Sequence, residues 1–252
     1  MVKNMKNNIL ENNSINEKEN NKKLFKLFQQ TPIKENQLLN NLNLYSNRQS
    51  LARTLFFNNL YQKILNSQGI IIEFGTHWGN NLVLFSQLRS IYEPFNYTRK
   101  IVGFDTFEGF QGIDKNDGNS EIIKEGSYST SKNYDLYLDE IMQYHENNAP
   151  LNHKRKYQII KGNASKTIIK YLKENSETII SFVYFDFDIY KPTIDCLKAI
   201  LPYLHKGSVI GFDELNFHDY PGETIAFREI FGNSVRINRD IHNPMMSWIE
   251  YG

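Results

Sequence analysis

Ile70-Ile71-Ile72-Glu73-Phe74-Gly75-Thr76-His77-Trp78-Gly79-Asn80-Asn81 reads as a short apolar strand, a glycine turn and the start of a helix. Glycines at 75 and 79 let a ligand approach the backbone, and the helix offers free N–H groups at its first turn. The spacing is Glu-x-Gly-x-x-x-Gly, which lacks the three spaced glycines of a dinucleotide-binding turn. An acid directly before the turn suits a cation. The amino and sulfonium groups of S-adenosylmethionine meet that requirement; a pyrophosphate does not. The plainer alternative is a strand-to-helix turn with no ligand.

Outward from this turn, apolar strands alternate with helical segments. Further strands are expected at 101–105, 157–160, 179–185 and 208–212, with helices at about 79–91, 164–174 and 192–204. Strands that are apolar throughout are buried on both faces, so the pattern predicts a mostly parallel sheet with helices on either side. This is an α/β Rossmann-like fold. Val235–Ile237 and Met246–Glu250 are expected to add an antiparallel edge. Residues 69–252 form this domain, with an insert at about 107–156 that carries a helix over Tyr134–His145. An insert of that length suits a lid or a substrate wall. Residues 23–68 are expected to form a helical extension, with Leu51, Leu55, Phe56, Leu60 and Ile64 on one stripe. Residues 1–22, rich in Asn, Lys and Glu, are expected to be a disordered tail or a frayed helix.

Composition narrows the function. A formal net charge of +1 gives no basic footprint for nucleic acid. No apolar run is long enough to span a membrane, and the N-terminus does not read as a signal peptide. The lone Cys196 cannot form an internal disulfide and falls on the buried face of a helix, which points to a reducing, cytoplasmic setting. The N-terminal helices leave a homodimer open.

Acidic residues gather at the strand ends. Asp105 and Thr106 follow the second strand, where nucleotide-binding folds hold ribose hydroxyls. Asp186 and Asp188 follow the fourth, and Asp213-Glu214 the fifth. Four carboxylates on neighbouring tips repel one another unless a cation or protons intervene. Their hard oxygens suit Mg²⁺, Mn²⁺ or Ca²⁺. Acids capping the following helices are the plainer alternative. His218, in the turn before Pro221-Gly222, is either a base, a ligand or an exposed side chain. Asn163 and Ala164, after the third strand, are placed to meet an adenine edge.

Taken together, Glu73-Phe74-Gly75 with Gly79, Gly103-Phe104-Asp105-Thr106-Phe107-Glu108-Gly109-Phe110 and Asp186-Phe187-Asp188-Ile189-Tyr190-Lys191-Pro192-Thr193 resemble the macrocin-type O-methyltransferases, which methylate deoxysugars. Asp213-Glu214 and Pro221-Gly222-Glu223 with Ala226 extend the match, which covers roughly residues 69–231. The resemblance implies a class I methyltransferase fold and S-adenosylmethionine as methyl donor. It also implies a divalent metal, Mg²⁺ first, on Asp186, Asp213 and Glu214. The cofactor would meet Glu73, Gly75, Thr76, Gly79, Asp105, Thr106, Asn163, Ala164 and Asp186. Asp186, Asp188 and His218 are the catalytic candidates. The acceptor would be a sugar hydroxyl on a nucleotide-sugar, a glycoside or a polysaccharide precursor. His77-Trp78, Asn80-Asn81 and the long Glu214 depart from the pattern. Three other readings stay open: a phenol or catechol methyltransferase, an NAD-dependent nucleotide-sugar oxidoreductase, and a non-catalytic adenosyl-binding protein.

Overall fold

The computed structural model describes residues 13–252. Seven strands form one sheet: β1 (Ile70–Phe74), β2 (Ile101–Asp105), β3 (Tyr157–Lys161), β4 (Ile180–Phe185), β5 (Leu204–Phe212), β6 (Asn238–Arg239) and β7 (Ser247–Glu250). Their order is β3-β2-β1-β4-β5-β7-β6. The first five are parallel; β7 runs antiparallel to β5, and β6 to β7. Chain order reverses between β1 and β4. A parallel sheet opens a crevice at the carboxyl ends of the strands at such a switch point.

Eight α-helices accompany the sheet among the described residues: α1 (Ile15–Gln29), α2 (Glu35–Leu38), α3 (Arg48–Lys63), α4 (Asn80–Tyr92), α5 (Tyr134–Asn147), α6 (Ala164–Glu174), α7 (Tyr190–Ile200) and α8 (Pro221–Phe231). Alternation along the strands divides the core. Ile70, Ile72 and Phe74 of β1 pack on the side of α6, α7 and α8. Ile71 packs on the opposite side, with residues of α3, α4 and α5. Glu73 shares the parity of Ile71, so a carboxylate is sent into the α3–α4 face and is fully buried there. Cys196 is buried in α7. No helix among the described residues is long and apolar enough to cross a membrane.

Several sequence expectations need correction. Residues 1–12 of the expected tail lie outside the described residues; residues 15–22 open helix α1, the helical of the two alternatives. The Ser14 hydroxyl and the Glu17 carboxylate each bond the other's backbone N–H there, a capping box that starts the helix. The stripe on α3 is displaced by part of a turn. Phe56, Phe57, Leu60, Tyr61 and Ile64 are buried, whereas Leu51 and Leu55 face solvent. Strand β5 starts early because Leu201–Tyr203 tightens into a 3-10 turn around Pro202, which closes α7. The edge strand β6 lies after 235–237. Asp240 accepts N–H bonds from His242 and Asn243 at 2.7 and 2.9 Å, and this turn sets Asn238 opposite Trp248. The insert has a small core of its own, in which Phe110 and Ile122 meet Ile189 and Tyr220.

Arg99 fixes the connection between α3 and β1. It is 1% exposed and donates to the carbonyls of Ile64, Ser67 and Gly69 at 2.8–2.9 Å. It also bonds the Ser181 hydroxyl and both carboxylate oxygens of Glu93. Arg99→Met would leave these acceptors buried and Glu93 unpaired. The expected loss is about 3–5 kcal/mol of unfolding free energy, read from denaturant titration. A loss under about 1 kcal/mol would show that water replaces the guanidinium there.

Candidate active site

A cleft of about 330 Å³ lies over the carboxyl ends of β1, β2, β4 and β5. One wall carries the glycine turn and the ends of β2 and β3: Gly75, Thr76, Asp105, Thr106, Asn163 and Ala164. The other carries Asp186, Asp188, Asp213 and Glu214. Phe110 and Tyr128 of the insert line the cleft as well. The Tyr128 hydroxyl meets that of Tyr220 at 2.8 Å, which ties the insert to the turn before α8.

On the first wall, Gly75 has φ +87°, and a Cβ there would lie 2.0 Å from the Asp186 carbonyl oxygen. Only glycine lets the tips of β1 and β4 approach so closely. Gly79, φ +78°, begins α4 against Leu138, and a Cβ would strike that side chain. Glu73 lies beneath this turn with no well-aligned hydrogen bond to either carboxylate oxygen, although Asn81 and the Thr76 hydroxyl are near enough to favour its charged form. Burial pushes the Glu73 carboxyl up to about 8, against the opposing influence of Asn81 and Arg53. A fully buried acid without a well-aligned hydrogen bond is costly in an empty site and suits a cationic ligand. The residues on this wall therefore fit S-adenosylmethionine. Asp105 accepts N–H bonds from His77 at 2.7 Å and Phe107 at 2.6 Å, so it holds two loops as well as facing the cleft. Burial raises its pKa and these bonds oppose the rise.

On the second wall the acids are arranged in two sets. Asp186 and Asp213 share the guanidinium of Arg53, which reaches in from α3. Nη2 donates to Asp186 Oδ2 and Nη1 to Asp213 Oδ1, each at 2.6 Å, while Nε donates to Asn81 Oδ1 at 3.1 Å. The guanidinium also lies over the rings of Phe57 and Tyr184, at 5.3 and 5.7 Å. The Tyr184 hydroxyl donates to Asp213. Burial works against the charge on Arg53, but the carboxylates outweigh it and hold its pKa above the ordinary value.

Asp188 and Glu214 form the second set, with their carboxyls in hydrogen-bonding contact. Asp188 adopts φ +62° and is 7% exposed. Burial raises both acids, Asp188 to about 6 and Glu214 well above its usual range. Two further buried acids position this wall. Glu223 accepts from the backbone N–H groups of Phe187 and Glu214, each at 3.3 Å. Asp117 of the insert accepts from the first N–H of α7, that of Tyr190, at 2.5 Å. It supplies the cap that Ile189 cannot and fixes the left-handed turn at Asp188.

The structure thus brings most of the expected residues to one cleft. Glu73 and Gly79 lie just behind its wall. His218 is not brought in: its side chain is fully exposed and meets only Asp219, at 3.5 Å. Phe217 and Tyr220 take the inward positions of that turn, with their rings stacked 5.8 Å apart. Asp186, Asp213 and Glu214 do not converge as the expected metal ligands. Two of them are turned onto Arg53, and no group of three His, Cys, Asp or Glu side chains among the described residues is arranged for a metal ion. As they stand, these residues do not fit a divalent ion. Sequence reasoning gave no site role to Arg53, Asn81, Asp117, Tyr184 or Glu223, although Asn81 and Glu223 fall within motifs it singled out. Arg53 also left a signal: at spacings of three, four and seven residues from Phe56, Phe57 and Leu60, it is a charge on a buried helix face.

No protein-family model matches the chain. No curated protein matches it either. Among solved structures it is similar to CalS11, described as a calicheamicin methyltransferase. Identity is 36% over 96% of this chain and 95% of that one, with a TM-score of 0.93. A structure of apo CalS11, described as a TDP-rhamnose 3'-O-methyltransferase of calicheamicin biosynthesis, shares 34% identity. It covers 96% of this chain and 97% of that one, with a TM-score of 0.85. The O-methyltransferase NovP, at 16% identity over 79% of each chain and a TM-score of 0.60, shares the fold. With a similarity that spans nearly the whole of both chains, the protein belongs to the macrocin-type deoxysugar O-methyltransferases, class I enzymes that use S-adenosylmethionine.

Proposed function

We propose that the protein methylates a hydroxyl of a deoxysugar, with Asp188 taking the proton. The observation that carries this is the division of one cleft into a cofactor wall, backed by the buried Glu73, and an acceptor wall ending in the Asp188–Glu214 pair. The similarity to a TDP-rhamnose methyltransferase supports a sugar carried on a nucleoside diphosphate as the acceptor to test first. Family membership displaces the oxidoreductase reading.

When bound, S-adenosylmethionine supplies a methyl group activated by its sulfonium. The protein's part is to bind, orient and move a proton. Glu73 meets the cationic methionine end, and Gly75 lets it lie against the backbone. Asp105, with two backbone bonds already made, keeps lone pairs for ribose hydroxyls. Asn163 and Ala164 border the adenine. The acceptor hydroxyl lies at Asp188, which accepts its proton as the oxygen takes the methyl group. The O–H bond breaks and the O–CH₃ bond forms as the methyl group leaves sulfur, whose bonding pair stays with the neutral thioether product, and the proton joins the carboxyl pair. A base contributes about 10²–10⁴-fold when its pKa lies near the working pH. No step is assigned to a metal, because Asp186 and Asp213 are engaged by Arg53.

Incubation with labelled S-adenosylmethionine and a panel of TDP-deoxysugars, with a catechol as control, tests the acceptor class. Label is expected on a sugar; label on the catechol alone would contradict the reading. Asp188→Asn should lower kcat by about 10²-fold or more, with S-adenosylhomocysteine affinity nearly unchanged. Undiminished turnover would remove Asp188 from the mechanism.

Glu73 makes cofactor binding depend on pH. With its pKa near 8 in the empty site, it is protonated at pH 7 and must ionise to meet a cation. Binding should then release about one proton at pH 7, and affinity should rise with pH until about pH 8. Calorimetry in two buffers of different ionisation heat measures the proton count. Glu73→Gln should bind more weakly and release none; equal release from both proteins would place the proton elsewhere.

A further inference from the structure

The acids at the tips of β4 and β5 already hold a cation, and it is part of the chain. Arg53 comes from the N-terminal extension, outside the sheet domain, and all three nitrogens of its guanidinium are directed onto Asp186, Asp213 and Asn81. Phe57 and Tyr184 flank it, so the fork has a built seat. It occupies one oxygen of each carboxylate, Asp186 Oδ2 and Asp213 Oδ1, so a divalent ion on the same pair would lie against its positive charge. Such an ion sits about 2.0–2.6 Å from each ligand oxygen. A guanidinium bonded to these two atoms at 2.6 Å cannot share them with an ion at that distance. Glu214 lines the same cleft and keeps Oε2 buried with no hydrogen-bond partner, an acceptor left open beside the pair.

We propose that Arg53 is the resident cation of this acid pair, and that a divalent metal enters the site only by displacing the guanidinium. The side chain is 29% exposed, so it has a path toward solvent. Metal and Arg53 are then alternatives, and helix α3 controls which one neutralises the acids. This goes beyond the assignment of the acceptor and does not depend on it.

Mn²⁺ titration, followed by the paramagnetic resonance of the free ion, tests the idea without methyl donor or sugar. Arg53→Met keeps the stem against Phe57 and Tyr184 and removes the charge. Releasing two charge-assisted bonds should raise Mn²⁺ affinity by about tenfold or more over the wild type. Adding Asp213→Asn should reverse the gain. Arg53→Lys keeps the charge but cannot bridge both carboxylates; it should shift affinity the same way by less, and it covers the case in which the Met variant fails to fold. Equal Mn²⁺ affinity in wild type and variants would overturn the proposal. So would a folded Arg53→Met protein that binds no Mn²⁺.

Discussion

The ion pairs between Arg53 and the aspartates 186 and 213 hold the active site together. Parallel strands at a switch point deliver their carboxyl ends to one place, and here those ends carry acids. Without a positive charge between them, the tips of β4 and β5 would repel each other at the point where the sheet must stay paired. The compensating charge comes from α3, far away in sequence. The N-terminal extension is therefore joined to the cleft by electrostatics as well as by the packing of Phe56, Phe57 and Leu60 beneath the sheet.

Glycine and burial shape the opposite wall. Gly75 lets β1 and β4 approach closely, and the strand's alternation buries Glu73 directly before it. The same geometry leaves that carboxylate without a well-aligned hydrogen bond. A protein that needed only stability would place an apolar residue there, as it does at Ile71. Leaving an acid in that position costs stability in the empty state and is recovered when a cation arrives. The insert contributes in a comparable way: Asp117 caps α7 and holds the turn on which Asp188 sits.

Much of this was legible in the sequence. The five parallel strands, the turn at Gly75 and the acids at the strand ends follow from apolar runs and their punctuation, which are local features. The partners of those acids are not local. Arg53 is 133 residues from Asp186, and Tyr190 bonds a carboxylate 73 residues earlier. The sequence shows that four acids need compensation, but a metal, a proton or a guanidinium satisfies that equally well. His218 shows the opposite case. It reads as chemistry because of its residue type, yet its aromatic neighbours Phe217 and Tyr220 take the buried positions and leave it in solvent.

The central claim is the division of labour between the two walls. A crystal structure with S-adenosylhomocysteine and a TDP-deoxysugar tests it most directly. The account predicts the amino group of the homocysteine at the Glu73 end of the glycine turn. It also predicts one sugar hydroxyl within hydrogen-bonding distance of Asp188, on the side where the methyl group would lie. A cofactor bound away from Glu73, or a sugar whose hydroxyls all avoid Asp188, would contradict it.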